Sequence, residues 1–197
     1  MDNISLLYEK MKLNNNMITT SKGIELGFSK SLLSNFAQKG LIERVRHGVY
    51  TIPNSIHDDM YTLMLRSEKI IFSHETALFL NGISERTPFI HTVTIPSDCI
   101  IPSSIKDECM YFYIKKELHN LGVIEVKNTF GNNVRCYNKE RTICDILRSR
   151  NRLNTETVVS AIKNYINSSD KDLNLLAEYS KKLRVSKQLK SYLEVLL

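Results

Sequence analysis

Four side chains able to hydrogen-bond a base edge stand at Ser31, Ser34, Asn35 and Gln38. Their i, i+3, i+4, i+7 spacing puts them on one stripe of a helix. Lys30 and Lys39 flank the stripe. An Asn or Gln amide meets an adenine edge with two hydrogen bonds, a Ser hydroxyl meets several edges, and an ammonium group holds phosphate. The set therefore has the chemistry of reading a nucleic-acid groove. At about 100° per residue, Leu33 and Phe36 point the other way, with Leu32 and Ala37 beside them, as a core anchor would. A few residues on, Arg44, Arg46 and His47 supply cations suited to a sugar-phosphate backbone or a minor groove. A solvated helix has a polar outer face too, so the elements around these residues decide between the two.

Those elements are readable from local signals. Thr19 and Thr20 stand where a hydroxyl takes up free N–H groups, and a short helix follows to about Gly27, a residue suited to a left-handed helix end. Ser29 is a second N-cap, the next helix covers residues 30 to 39, and Gly40 stops it. Residues 41 to 45 alternate with Arg44 outward, Arg46-His47-Gly48 forms a turn, and residues 49 to 52 return to Pro53. Helix, turn, helix and hairpin predict a winged helix-turn-helix. Its recognition helix would be residues 30 to 39, with Arg44, Arg46 and His47 at the wing tip. The expected DNA contacts are Thr20, Ser29, Lys30, Ser31, Ser34, Asn35, Gln38, Lys39, Arg44, Arg46 and His47.

The 197 residues suffice for one domain of moderate size or two small ones. We place a DNA-binding domain at residues 1–55 and an α+β domain at 56–197. The net charge of +6 is uneven: residues 1–53 carry seven Lys/Arg against four Asp/Glu, 54–137 eight against ten, and 138–197 twelve against seven. Basic ends favour contact with a polyanion. No apolar run is long enough to span a bilayer, and the acidic, amphipathic start MDNISLLYEK differs from a signal peptide, so a cytoplasmic protein is expected. Cys99, Cys109, Cys136 and Cys144 form no C-x-x-C pair and read as reduced, mostly buried thiols.

Along the chain, Ile4, Leu7, Tyr8, Met11 and Leu13 predict a first helix that Asn14-Asn15-Asn16 ends. Asp58-Asp59 opens a helix to about Ser67, with Met60, Leu63 and Met64 toward a core. A short strand covers residues 69 to 72. Ser73 then caps a helix from His74 to Asn81 that Gly82 ends, and His74 at that helix start reads as a solvated or capping side chain. Residues 89–95, 110–114, 123–127 and 133–137 predict strands of a small mixed or antiparallel sheet, separated by Pro96, Pro102, Gly122 and Gly131-Asn132. Helical patterns over 140–148, 155–167, 173–182 and 187–196 predict a bundle-like tail, with Thr155 and Ser186 as caps. In the first of these, Arg141 and Asp145 can pair across one turn while Ile143, Ile146 and Leu147 pack inward.

The chain resembles the AbiEi antitoxin family of type IV toxin-antitoxin and abortive-infection (phage-defence) systems. Three stretches carry the resemblance. One is Gly40-Leu41 through Arg46-His47-Gly48-Val49-Tyr50 with Pro53. Another is Phe72-Ser73-His74-Glu75-Thr76-Ala77-Leu78 with Gly82, Pro88, Thr94 and Pro96. The third is Gly131, Val134, Arg135 and Tyr137 with Glu140-Arg141-Thr142-Ile143-Cys144-Asp145. The resemblance implies an autorepressor that binds inverted repeats of double-stranded DNA in its own promoter, as a monomer or weak dimer with two copies on the operator. It also implies a C-terminal domain that counteracts a nucleotidyltransferase toxin without a stable complex. Basic residues Arg148, Arg150, Arg152, Lys181, Lys182, Arg184, Lys187 and Lys190 are the candidate antitoxin surface, for a partner or flanking DNA.

Two rival classes stand beside this reading. Glu125 and Lys127 share one side of a strand, with Asp98 or Asp107 upstream, a layout similar to a PD-(D/E)xK metal-dependent nuclease fused to a winged helix. Pro96-Ser97-Asp98 departs from the usual Pro-Asp pair of that family, and alternate positions of a half-exposed strand commonly carry such charges. The other rival is a protein-interaction adaptor whose winged helix never touches DNA. No phosphate-binding glycine loop, zinc cluster or nucleophile elbow is present, and the expectation is a protein that is not an enzyme and needs no cofactor or metal.

Overall fold

The computed structural model describes residues 2–56, 58–101 and 105–196, so Pro102, read above as a strand separator, lies outside the described residues. The chain is α+β and divides into two units, Met1–Leu65 and Arg66–Leu197. No helix among the described residues is long and apolar enough to cross a membrane.

In the first unit, α1 (Asn3–Lys12) starts where the Asp2 carboxylate accepts from Ser5 N at 2.8 Å, and it buries Leu7 and Met11. Asn15 and Asn16 then take positive φ and turn the chain back, a conformation that Asn tolerates better than most residues. β1 (Met17–Thr19), β2 (Glu43–Arg46) and β3 (Val49–Thr51) form an antiparallel sheet in the order β1-β3-β2. Between β1 and β2 come α2 (Thr20–Glu25) and α3 (Lys30–Gln38). Ser29 accepts from Leu32 N at 3.1 Å, and Gly40, at φ 69°, ends the turn after α3. Leu7, Met11, Ile18, Phe28, Leu33, Ile42 and Tyr50 form one core.

Strand β1 was not legible in the sequence. Three residues carry too little pattern, and their extended form comes from pairing Ile18 with Tyr50 of β3. The helix α4 (Asp59–Arg66) belongs mainly to this unit, so the division falls beyond the 55/56 boundary expected from sequence. Its Met60, Thr62 and Leu63 are buried, and Met64 is half-buried.

The second unit is built on a five-stranded mixed sheet of β4 (Ile71–Phe72), β5 (His91–Pro96), β6 (Cys109–Ile114), β7 (Val123–Lys127) and β8 (Asn133–Tyr137), in the order β6-β5-β4-β8-β7. The β5·β6 and β4·β8 pairs are parallel, and the β4·β5 and β7·β8 pairs antiparallel. α5 (His74–Leu80) packs on β5 and β8 and against α7 (Lys139–Arg148). A short α6 (Lys116–His119), unforeseen from sequence, packs on β5. α8 (Thr155–Asn167), α9 (Leu173–Lys182) and α10 (Ser186–Leu196) gather around α7. The cap of α8 is Asn154, whose side chain accepts from Glu156 N at 2.9 Å, one position before the expected Thr155.

Helix α7 is buried all round, Glu140 to Leu147, although its sequence is largely polar. It is tolerated there because its buried charged side chains are partnered, Arg141 Nη2 alone being buried without a hydrogen-bond partner among the described residues. The Arg141 Nε donates to Asp145 Oδ2 at 2.9 Å, and Nη1 donates to the carbonyls of Leu118 and Leu121 at 2.8 and 3.0 Å. The guanidinium also lies 4.2 Å from the centre of the Tyr137 ring. Glu140 accepts from the Tyr165 hydroxyl at 3.0 Å and from Asp172 N at 3.2 Å. Burial lifts the Asp145 carboxyl above its ordinary value, and Arg141 opposes that lift. Cys109, Cys136 and Cys144 are buried free thiols and Cys99 is partly exposed. Burial pushes Cys136 and Cys144 up to about 12, so neither is a ready nucleophile.

Candidate functional site

The first candidate is the outer face of α3. Leu33 is fully buried while Phe36, Ala37 and Leu32 are partly so, which fixes the rotation of the helix. Ser29, Lys30, Ser31, Ser34, Asn35, Gln38 and Lys39 are all exposed. Ser29 and Ser31 hydroxyls lie 2.9 Å apart, and Ser29 also caps the helix. Ser34, Asn35, Gln38, Lys30 and Lys39 make no side-chain hydrogen bond or ion pair among the described residues. Unspent donors and acceptors on one stripe are what an external ligand with polar edges needs.

The hairpin differs from the sequence expectation in two places. Arg44 pairs with Tyr50 and Arg46 with Val49, so Val45 is the extra residue of a bulge. Simple alternation would send Arg44 and Arg46 to the same side, but a bulge re-aims the side chain that follows it. Arg44 and His47 are exposed, whereas Arg46 has 16% of its side chain exposed and donates from Nη2 to Asp59 Oδ1 at 2.9 Å. The expected grip of Arg46 at the tip is thereby corrected: that guanidinium anchors α4. Thr20 is likewise spent inside the unit. Its N–H donates to the Gly48 carbonyl at 2.8 Å and its hydroxyl reaches the same oxygen at 3.4 Å, while Thr19 caps α2. Thr20 positions the hairpin turn beside α2.

The second candidate lies in the other unit, where sequence reasoning gave only fragments. His74 is 2% exposed and sits at φ 48°. A left-handed conformation costs a non-glycine residue on the order of 1–3 kcal/mol and persists only where its surroundings hold it. Here the ring stacks on Phe112, with centroids 3.5 Å apart. Its Nδ1 is 2.9 Å from the Ser73 hydroxyl and its Nε2 2.9 Å from the Ser149 hydroxyl. The Ser73 hydroxyl, expected to cap α5, makes no capping bond and instead accepts from the Thr94 hydroxyl at 2.8 Å. The solvated or capping His74 expected from sequence is corrected to a buried, doubly bonded one. Burial, reinforced by the charges of Arg141, Arg152 and Arg148, holds its pKa well below the ordinary histidine value, so the ring is neutral at pH 7.

His74 and Ser149 border a cavity of about 320 Å³ together with Asp145, Arg148, Asn151 and Arg152. Arg152 lies over the Phe112 ring at 4.3 Å from its centre. The basic set expected from sequence is therefore divided. Arg148 and Arg152 edge this cavity, and Arg150 is half-buried and donates to the Leu147 carbonyl at 3.2 Å. Lys181, Lys182, Arg184, Lys187 and Lys190 lie exposed on or between α9 and α10, where Lys182 pairs with Glu178 and Lys190 with Glu194. Ser149, Asn151 and Phe112 were missed. The only local signal was the clustering of arginines after α7.

The nuclease layout is not assembled. Glu125 and Lys127 are exposed on β7 at one edge of the sheet, whereas Asp98 follows β5 and Asp107 precedes β6 on its other half. Strands β5 and β7 are three spacings apart, about 14 Å. Asp98 lies 3.8 Å from the Lys116 ammonium. Among the described residues no group of three His, Cys, Asp or Glu could hold a metal ion.

The class that emerges is an α+β protein with two compact units, and known folds can be set beside it. The chain matches no protein-family model and no curated protein. It is similar to the crystal structure of the RV2827C protein from Mycobacterium tuberculosis, with a TM-score of 0.63 at 11% sequence identity, covering 90% of this chain and 70% of that one. At that identity the likeness is one of fold.

Proposed function

We propose that the first unit is a winged helix-turn-helix that reads double-stranded DNA. In this reading α2 and α3 are the helix-turn-helix, α3 enters the major groove, and the β2–β3 hairpin is the wing. The observation that carries the reading is the exposed stripe of Ser31, Ser34, Asn35 and Gln38, in which the side chains of Ser34, Asn35 and Gln38 bond nothing among the described residues and Ser31 meets only the Ser29 hydroxyl. Lys30, Lys39, Arg44 and His47 provide the phosphate contacts. Following the resemblance to AbiEi antitoxins, the protein acts in the cytoplasm as a non-enzymatic repressor of its own operon. It binds promoter inverted repeats as two copies related by the DNA dyad. The second unit counteracts a nucleotidyltransferase toxin without a stable complex.

A mobility shift with the native upstream promoter tests the DNA reading. Asn35→Ala or Gln38→Ala costs about 1–3 kcal/mol on the preferred sequence and little on random duplex. Arg44→Ala weakens binding to both and lowers the salt dependence. Equal affinity for promoter and random duplex at moderate salt overturns the repressor reading. Co-expression with the product of an adjacent nucleotidyltransferase gene tests the antitoxin role, rescue of growth being the expected result.

A further inference from the structure

We infer that the cavity bordered by His74, Ser149, Asn151, Arg148 and Arg152 is a binding site for a small oxyanion, a phosphate or the phosphate of a mononucleotide. Neither the reading of DNA by α3 nor the repression of an operon requires such a site, so it stands on its own observations.

The first observation is charge. Arg148 and Arg152 border the cavity beside a single carboxylate, Asp145, which carries its own partner in Arg141. Arg141 is fully buried and already joined to Asp145 at 2.9 Å, so the carboxylate on the cavity wall is met from behind. Arg148 and Arg152 are left as the excess. Two like charges bordering one cavity draw an anion more strongly together than either does alone.

The second is unspent donors. Arg148 and Asn151 make no side-chain hydrogen bond or ion pair among the described residues, and Arg152 makes one long contact, 3.5 Å, to the Tyr111 carbonyl. Arg152 is held over Phe112, so its planar fork is pre-oriented. Guanidinium forks match the oxygen spacing of phosphate. The Ser149 hydroxyl, fixed at 2.9 Å from His74 Nε2, adds a neutral group whose direction is set.

The third is strain. The backbone of His74 is held at φ 48° and its ring is clamped by Ser73, Ser149 and Phe112. Side chains kept in a costly conformation by several partners mark places where geometry is maintained for binding. A solvated arginine pair needs none of this. The volume of about 320 Å³ is at the small end for ligand pockets, which suits a phosphate or mononucleotide.

Isothermal titration of the full chain at constant ionic strength, with chloride as control, tests the site. Inorganic phosphate and adenosine monophosphate are the probes, and a short DNA duplex is the third arm. The expected result is saturable one-site binding of at least one small probe. Affinity should fall at least tenfold in Arg148→Gln and in Arg152→Gln and be unchanged in Lys187→Gln. Equal affinity for the two small probes assigns a free-phosphate site, and tenfold tighter adenosine monophosphate assigns a nucleotide. Arg152 packs on a ring, so Arg148→Gln, at an exposed position, decides if Arg152→Gln fails to fold. Binding of the duplex alone overturns the inference, as does absence of saturable binding or an equal loss in Lys187→Gln. None of these outcomes depends on whether Asn35 and Gln38 read a promoter.

Discussion

Helices α3 and α7 are both rich in polar side chains, yet they use them in opposite ways. On α3 the polar stripe is exposed and its amides bond nothing else among the described residues. On α7 the polar groups from Glu140 to Asp145 are buried, with Arg141 bonded to a carboxylate and two carbonyls, its Nη2 alone left without a partner among the described residues, and Glu140 bonded to a hydroxyl and an N–H. Polar content alone does not separate a binding surface from a scaffold. What separates them is whether the hydrogen-bonding capacity is already consumed.

The largest effect follows from breaking the scaffold side. Arg141→Ala leaves Asp145 buried with its partner gone, and removing one half of a buried pair costs about 3–5 kcal/mol. Urea unfolding of the purified chain measures it, and a loss under about 1 kcal/mol would mean that solvent reaches the pair. Gly122→Ala tests the same knot from the outside. A Cβ there would lie 2.8 Å from Arg141 Cβ and 3.0 Å from Asn138 Oδ1, at φ 77°. Overpacking and left-handed strain together predict a loss of roughly 1–3 kcal/mol in the same unfolding experiment.

What could be read in advance follows the range of the interactions. The limits of α3 come from Ser29 and Gly40, both within a turn of the helix they bound, and the sequence carries them plainly. The Arg141–Asp145 pair was equally local, four residues apart, although the full burial of α7 was not, since it depends on α8 to α10. Arg46 escaped because one bulge residue, Val45, reverses the side to which it points. His74 escaped more completely. Its hydroxyl partner Ser149 is 75 positions away, and its stacking partner Phe112 belongs to strand β6. The sheet was expected as small and mixed or antiparallel, but its central strand has only two residues and takes its place from pairing on both sides.

The cavity gives a pH-dependent contrast with the exposed side chains of the first unit. His74 is held below its ordinary value when folded and returns to about 6.5 when unfolded, so the unfolded chain binds more protons below that pH. Stability is therefore intact above pH 6.5 and falls as pH drops from there toward the folded value. His119, also lowered chiefly by burial, adds the same sign, and Asp145, raised in the fold by burial, acts in the opposite sense. The decisive quantity is thus the difference between proteins. Unfolding at pH 7.5, 6.5 and 5.5 should show a shallower decline in His74→Asn than in the parent, and an identical slope would mean that the imidazole is not kept neutral.

The smallest effect bears most directly on the comparison. Substitutions at exposed positions away from caps and cores change stability by within about 0.5 kcal/mol. Asn35→Ala and Gln38→Ala should therefore leave the unfolding midpoint where it is, while Leu33→Ala, on the buried side of the same helix, costs about 2–5 kcal/mol. Stability unchanged with promoter affinity reduced assigns the stripe to an external partner. Stability reduced by a kilocalorie or more at Asn35 would instead place hidden contacts under it, and α3 would then resemble α7 in kind, its polar groups serving the fold.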